Sequence, residues 1–391
     1  MKRMRALVVV GIFAIALGGI AGGQAASGKR GKFACKGGAI VIGNAKGLTG
    51  PLAPFDSGEL NGDKLAVAQI NRAGGINGCK LKMIAENTQS DPAVGRQVAK
   101  DLLAKGAQVV LVPGDFDFGI TAAQAAQAAG KFSMSPTAST VGFPKAVGPN
   151  FFELGLNTDD IGKAQAKFAK QKGWKSVYLV TNTGISFFTA QEQTFLKHFG
   201  GKTVGSDTVT NAQQDYSSVV SKIAALNPRP DVIYGSTFFP NIGIFIKQLR
   251  EAGVKAPVLG SPGWAARDLP KVAGAANIAN SFYVGSVYFE GAGTDRSVAK
   301  MEAAYKKKFG RLPDTHNAIL GYQSIYLLAR ALRIAGSTDA KALTRAMKSV
   351  HNVKLTGSTI VGFPANTAHR SVSVVGFGAN GRFKKIQTFI P

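Results

Sequence analysis

The chain runs to 391 residues, more than one ordinary core of roughly 100–200 residues accounts for, so two lobes are expected once any processing is allowed for. Its 47 Lys and Arg against 22 Asp and Glu give a formal net charge of +25 at pH 7. That balance points first to nucleic acid, but the basic residues are scattered, and their densest run, at 306–308, ends an amphipathic helical pattern and reads as a solvated face.

The chain opens "MKRMR", continues with the apolar "ALVVVGIFAIALGGIAGG" and reaches small residues at "QAAS". This is the three-part layout of a secretory signal, so residues 1–25 are expected to be removed near Ala25 and the mature protein to reside in the periplasm or outside the cell. A retained anchor is the competing reading. Glycines interrupt the apolar run, however, and no later stretch approaches the about 20 residues that span a bilayer. Cys35 follows the basic "GKRGKFA", too far beyond the apolar segment for lipid modification. With Cys79 it forms an even pair in an exported chain, and a disulfide between the two is expected. Each precedes an apolar run, "AIVIG" and "KLKMIAE", so neighbouring parallel strands there would bring both thiols to one sheet edge. Closing that loop would stabilise by about 4 kcal/mol in the chain-entropy account.

From Ala39 apolar runs alternate with helical segments. "AIVIGNA" reads as a buried strand, "GELNGDKLAVAQINRAGG" as a helix ended by a glycine pair, and "KLKMIAE" as the next strand. "DPAVGRQVAKDLLAKG" is a helix with Asp91 as its cap and Pro92 at its first position. The strand "QVVLVP", the alanine-rich helix "GITAAQAAQAAG" and the short strand "KFSM" follow. Then comes "SPTAST", residues 135–140. Ser and Thr bond nearby backbone and Pro stops a ladder, so locally this is a turn, while its hydroxyls are also suited to a small polar group. Strand and helix in alternation mean a parallel sheet covered on both faces.

The same grammar restarts after "NTDD" at Asn157 and runs through "SVYLVTN", "KTVGSDTVT", "DVIYGS" and "APVLGS", with helices between them. A second doubly wound unit is the simplest account. The tail departs from this order, with "DRSVAKMEAAYKKKFG", "NAILGYQSIYLLARALRIAG" and "DAKALTRAMKSV" arriving as successive helices that need a sheet to cover.

Two phosphate-loop patterns are spurious. "GQAASGK" has Arg30 where Ser or Thr should hold a metal ion, and it straddles the signal region. "GFGANG", residues 376–381, follows a strand but leads into "RFKKIQTFIP", another strand, so Asn380 and Gly381 read as a tight hairpin turn. His198, His316, His351 and His369 share no metal-ligand spacing with one another or with a cysteine. No nucleophile elbow or acid–base carboxylate pair is placed by spacing, so nothing argues for an enzyme.

The stretch "GLTGPLAPFDSGELNGDKLAVAQINRAGGINGCKL", with "DP" at Asp91 and Pro92, closely resembles the opening of the type I periplasmic solute-binding proteins. It is most similar to the leucine/isoleucine/valine-binding branch serving ABC importers. The likeness continues more weakly through "SPTAST", "SVYLV", "DVIYGS", "QLREAG" and "GYQSIYLLARAL". It implies the α/β type I periplasmic binding protein fold: two doubly wound parallel-sheet lobes joined by three crossovers, with the ligand cleft between them. The N-terminal lobe would comprise 38–155 plus 288–353 and the C-terminal lobe 156–287 plus 354–391, with crossings near Gly155, Tyr288 and Lys354 and the terminal hairpin in the second lobe. The late helices thereby gain a sheet. The implied function is capture of a small solute by hinge closure and delivery to an ABC permease and ATPase complex. A monomer is expected, with no enzymatic activity, cofactor, metal or nucleic acid. A ligand-sensing partner of a membrane receptor would use the same cleft.

The resemblance also implies site residues. Phe55 in "PLAPFD" falls where the family has an aromatic lining the cleft. Asp117 in "PGDFDFG", followed by Phe118, falls where amino-acid binders use a serine to hold the ligand carboxylate. An aspartate there suits an ammonium, amide or hydroxyl instead, and a helix cap before "GITAAQ" is the alternative role. In "SPTAST", Thr137 and Ser139 fall on contact positions, with Ser135 beside them. Ser186 and Phe187, then Thr237 and Phe238, fall where relatives present tyrosines. In "GSPGW", Pro262 stands where amino-acid binders place an acidic partner for the ligand's ammonium, and Trp264 follows. The gathered aromatics imply a hydrophobic, branched-chain-type amino acid or a related small aromatic or apolar acid or amide.

Overall fold

The computed structural model describes residues 38–140, 142–289, 291 and 295–390. Five strands form the first sheet: β1 (Ala39–Lys46), β2 (Lys80–Asn87), β3 (Val109–Leu111), β4 (Phe132–Ser135) and β5 (Phe151–Glu153). They are parallel, in the order β2-β1-β3-β4-β5. The intervening helices are α1 (Ala53–Arg72), α2 (Pro92–Ala104), α3 (Phe116–Ala128) and the short α4 (Phe143–Val147). Local chemistry sets their boundaries: the Asp91 carboxylate accepts from the backbone N–H groups of Ala93 (2.7 Å) and Val94 (3.0 Å), with Pro92 at the first turn, as the sequence predicts.

The second lobe repeats the pattern with α5 (Thr158–Gln171), β6 (Ser176–Asn182), α6 (Ser186–Phe199), β7 (Lys202–Val209), α7 (Ser217–Ala225), β8 (Val232–Ser236), α8 (Asn241–Glu251), β9 (Val258–Gly260), α9 (Leu269–Ala273) and β10 (Ser281–Gly285). The chain then returns to the first lobe as α10 (Arg296–Phe309), α11 (Asn317–Ala335) and α12 (Ala340–Lys348). Ile325, Leu328, Leu332, Leu343 and Met347 of α11 and α12 share a core with Ile40, Ile42, Leu81, Val109 and Phe132, so the late helices cover the first sheet.

Close approach of α1 and α11 depends on two glycines. A Cβ on Gly62 would sit 1.9 Å from the Ala318 carbonyl oxygen, and one on Gly321 would sit 2.3 Å from that of Glu59. Neither distance is compatible with a side chain, so the pair brings the backbones together and holds Glu59 and Asp63 against the start of α11.

The last crossing differs from the sequence expectation. Strands β11 (Val353–Leu355), β12 (Ser358–Gly362) and β13 (His369–Arg370) form a separate three-stranded antiparallel sheet, and Ile360, Phe363 and Ala368 join the core of the first lobe. The return to the second sheet therefore comes at β14 (Val372–Phe377), later than the crossing near Lys354 that the resemblance implied. The apolar positions of 353–370 are what hold this segment back. β14 and β15 (Phe383–Phe389) then complete the order β15-β14-β10-β9-β8-β6-β7, with β14 antiparallel to both neighbours. Asn380 and Gly381 lie in their connecting turn, where the Gly381 N–H donates to the Gly378 carbonyl at 2.9 Å.

Cys79 is fully buried just before β2, in a register that places Ala39 opposite Lys80. Cys35 and the signal segment 1–25 lie outside the described residues. Among the described residues no helix is long and apolar enough to cross a membrane.

Candidate ligand cleft

The loops after β1, β3 and β4 of one sheet and after β6, β8 and β9 of the other converge on one cleft, at the carboxyl ends of the parallel strands where open α/β sheets present ligand sites. The cavity holds about 680 Å3, counting its open mouth. Its two sides differ in chemistry. The first lobe contributes Pro51, Leu52, Phe55, Asp56, Gly114, Asp115, Thr137 and Ser139, together with His316 and Asn317 at the start of α11. From the second lobe come Ile185, Phe187, Phe188, Phe238, Pro262 and Gly263, an apolar wall. Phe188 and Phe238 stack with ring centroids 5.7 Å apart, and Phe55 meets Phe238 edge-on at 6.1 Å across the lobes.

Beneath the first-lobe side lies a buried charged network. Lys46 pairs with Glu59, both without exposure, and donates to the Val112 carbonyl at 2.9 Å. Asp56 accepts from the backbone N–H groups of Gly47 (2.8 Å) and Gly114 (3.3 Å), while Asp63 accepts from Asn44 (2.7 Å) and Ser324 (3.2 Å). Burial pushes the Asp56 carboxyl up to about 7 against the pull of Lys46, and Glu59 adds to the rise. Asp63 rises to about 7 by burial and the Glu59 charge, again opposed by Lys46. Burial would lower Lys46, but Glu59, Asp56 and Asp63 together keep its ammonium above the ordinary value. Thr137 donates to Glu59 at 2.8 Å, which ties the "SPTAST" loop into the network. Gly114 permits this convergence, because a Cβ there would fall 2.1 Å from Thr137 Oγ1 and 3.0 Å from Asp56 Oδ1.

Of the residues singled out from sequence, Phe55, Thr137, Ser139, Phe187 and Phe238 lie on the wall. Others do not. Ser135 is buried, donating to the Pro113 carbonyl at 3.0 Å and accepting from the Ala138 N–H, so it shapes the loop from behind. Thr237 is buried and accepts from Asn182 at 3.3 Å. Trp264, expected at the cleft, is fully buried in the second lobe's core, where its indole N–H donates to the Gly235 carbonyl at 3.1 Å. Burying so large a ring in the core outweighs presenting it to solvent. Phe118 packs against the Ile185, Phe188 and Phe238 cluster behind the wall.

Asp117 does not cap α3. Asp115 caps α3, accepting from the Asp117 N–H at 2.8 Å. The Asp117 carboxylate instead reaches the other lobe, where it accepts from the Ser186 backbone N–H (2.8 Å) and from Ser186 Oγ (2.7 Å). Ser186 opens α6, which has no side-chain cap from its own N-cap residue, so Asp117 supplies an acceptor and a favourable negative charge at that N-terminus.

Sequence reasoning missed Asp56, Asp115, Phe188, Gly263, His316 and Asn317. Asp56 and Phe188 sit beside residues it did single out, and Asp115 lies two places from Asp117. Nothing local marks His316 and Asn317, which arrive from far along the chain. Burial, with the Arg370 charge, pushes the His316 imidazole down to about 3 and keeps it neutral. Among the described residues no group of three or more His, Cys, Asp or Glu could hold a metal ion.

A family model described as a periplasmic binding protein matches residues 39–381. Leu/Ile/Val-binding protein homolog 1 of Brucella abortus is 26% identical over 364 residues, covering 89% of this chain and 93% of the relative. Leu/Ile/Val-binding protein BraC3 of Rhizobium johnstonii is 24% identical over 315 residues, covering 79% and 83%. Among solved structures, the branched-chain amino acid transporter substrate-binding protein LivJ of Streptococcus pneumoniae, in complex with isoleucine, is similar with a TM-score of 0.80. It is 21% identical, with 90% of this chain and 99% of that one covered. An ABC transporter solute-binding protein of R. palustris, in complex with benzoate, has a TM-score of 0.78, 19% identity and coverage of 90% and 97%.

Proposed function

Because the chain belongs to the periplasmic binding protein family, we propose that it captures a small solute with an apolar or aromatic body by closure of its two lobes, and delivers it to an ABC permease and ATPase complex. It is a solute-binding protein of the Leu/Ile/Val-binding type, not an enzyme. The ligand class is a hydrophobic amino acid or a related small aromatic or apolar acid or amide. The two-sided cleft carries this reading: Ile185, Phe187, Phe188 and Phe238 offer an apolar face opposite the polar loops of the first lobe. Isoleucine and benzoate, bound by the two similar structures, fall within the same class.

Thermal melts of the purified mature protein against amino acids, aromatic acids, amines and amides test the reading. A solute at about 100 times its dissociation constant adds roughly 2.7 kcal/mol. Small-angle scattering should show the protein contracting with the best solute. If no member of the panel raises the melting temperature, the solute-binding role of this cleft is lost. A receptor-coupled sensor would show the same binding; transport of the solute abolished by deleting the neighbouring permease gene favours the importer. Export through the 1–25 signal would leave a secreted product that begins near residue 26, which N-terminal sequencing reads directly. Pairing of Cys35 with Cys79 is part of the same reading.

A further inference from the structure

We propose that the polar end of this cleft prefers a nitrogen-bearing hydrogen-bond donor, an amide or amine, over the free carboxylate that the acids and amino acids of the class above carry; this rests on the solute-binding reading above and narrows its ligand class. Asp56 and Asp115 both line the cleft. The hydrogen bonds they accept come from backbone N–H groups: Gly47 and Gly114 on Asp56, Asp117 on Asp115. No Lys or Arg stands among the described residues lining the cleft. Of the buried cations near it, Lys46 is engaged by Glu59 and by the Val112 carbonyl, and Arg370 by the Leu154 carbonyl, Gln323 and Ser358. His316 is on the wall, but it is neutral for the reason given above, so it supplies no counter-charge.

A ligand carboxylate would thus face two carboxyl groups, and the hydroxyls on the wall that could serve it are engaged, Thr137 donating to Glu59 at 2.8 Å and Ser139 to the Thr137 carbonyl at 3.2 Å. An ammonium or amide N–H would find acceptors already oriented by the backbone. The net charge of the chain is strongly positive, yet beneath the polar wall Asp56, Glu59 and Asp63 surround Lys46, and Asp115 feels the charges of Asp117 and Asp56. Burial raises the Asp115 carboxyl to about 7, with Asp117 adding to the rise, so a proton now does what a bound cation would do better. Pro262 fits the same picture. Among the described residues lining the cleft, the second lobe brings no acid to pair with a ligand ammonium, and the first lobe has Asp56 and Asp115.

Two matched pairs of probes test this with the mature protein at pH 7.5: benzamide against benzoate, and leucinamide against leucine. The nitrogen member of at least one pair is expected to raise the melting temperature, and each acid is expected to bind at least tenfold more weakly than its partner. Equal or tighter binding of benzoate or leucine overturns the head-group assignment while leaving solute capture intact. If none of the four probes, and none of the wider panel above, stabilises the protein, both readings fall. Asp115→Asn should cost the favoured nitrogen ligand at least fivefold in affinity. Asp115→Ser, which keeps a capping oxygen for α3, should do the same with the unliganded melting temperature near wild type. Full affinity in a folded Asp115→Ser protein overturns the role of Asp115.

Discussion

The bond between Asp117 and Ser186 joins the two lobes directly, so it is broken whenever they separate. Replacing Asp117 with Ala removes an acceptor that takes two hydrogen bonds, at 2.8 and 2.7 Å, and a negative charge at the start of α6. Hydrogen bonds to a charged group contribute about 1.5–3 kcal/mol, and a charge at a helix N-terminus about 0.3–1 kcal/mol. Asp117 is only partly buried, so solvent screening reduces the sum, and about 1–2 kcal/mol of preference for the closed form is a reasonable working figure. If that preference is lost, the apparent dissociation constant of the best solute should rise roughly 5- to 30-fold, because a smaller fraction of the protein is competent to hold it. Titration calorimetry gives the affinity, and scattering of the unliganded protein gives the radius of gyration, which should increase. Ser186→Ala keeps the backbone N–H and should lose less. A double variant should lose no more than Asp117→Ala alone. Affinity within twofold of wild type and an unchanged radius would show that this bond contributes nothing to closure.

Three further outcomes are expected. Gly62→Ala, although alanine is the better helix former, should destabilise the first lobe by about 1–3 kcal/mol in denaturant titration, since its Cβ has only 1.9 Å to the Ala318 oxygen; a neutral result would contradict the close approach of α1 and α11. Thiol titration of the denatured, unreduced protein should find no free cysteine, and reduction should lower stability by about 4 kcal/mol. The unliganded protein should become more stable as pH falls from 7 towards 5. Asp56, Asp63 and Asp115 titrate near 7 when folded and Glu153 is also raised, so in this window the folded state holds more protons than the unfolded one. The sign is that of raised acids: stability is lost as pH climbs from the unfolded values through about 7. His316 opposes them as the single buried imidazole with a lowered value. Thermal melts across pH 5–7.5 that are flat or slope the other way would refute the burial of these carboxyls.

What could be read from the sequence was local. The cap at Asp91, the turn at Asn380 and Gly381 and the alternation of strand and helix each depend on a few neighbouring residues, and all three stand in the structure. The sequence places residues 354–370 in the second lobe too early, because short strands carry no label saying which core will accept them, and Ile360 and Phe363 find theirs in the first. The direction an aromatic takes is hidden from the sequence for a related reason. Phe187 faces the cleft, yet Trp264 is buried behind its own strand, and nothing in "GSPGW" distinguishes those two directions. Asp115 and Asp117 are two residues apart on one helical turn. One caps α3 and the other reaches Ser186, a partner 69 residues away that only the folded chain brings near.

The division of labour across the cleft has a kinetic consequence. The polar lining of the cleft comes almost wholly from the first lobe, whose α1 and α11 approach closely at Gly62 and Gly321, while the second lobe offers mainly apolar contact area. On the proposed capture mechanism a solute would meet its orienting groups before closure, and changes to the first lobe are expected to alter its rate of arrival. Residence time would then be set by how long Phe188 and Phe238 stay shut over it. Changes to those rings should lengthen or shorten the stay of a solute without altering which head group is admitted.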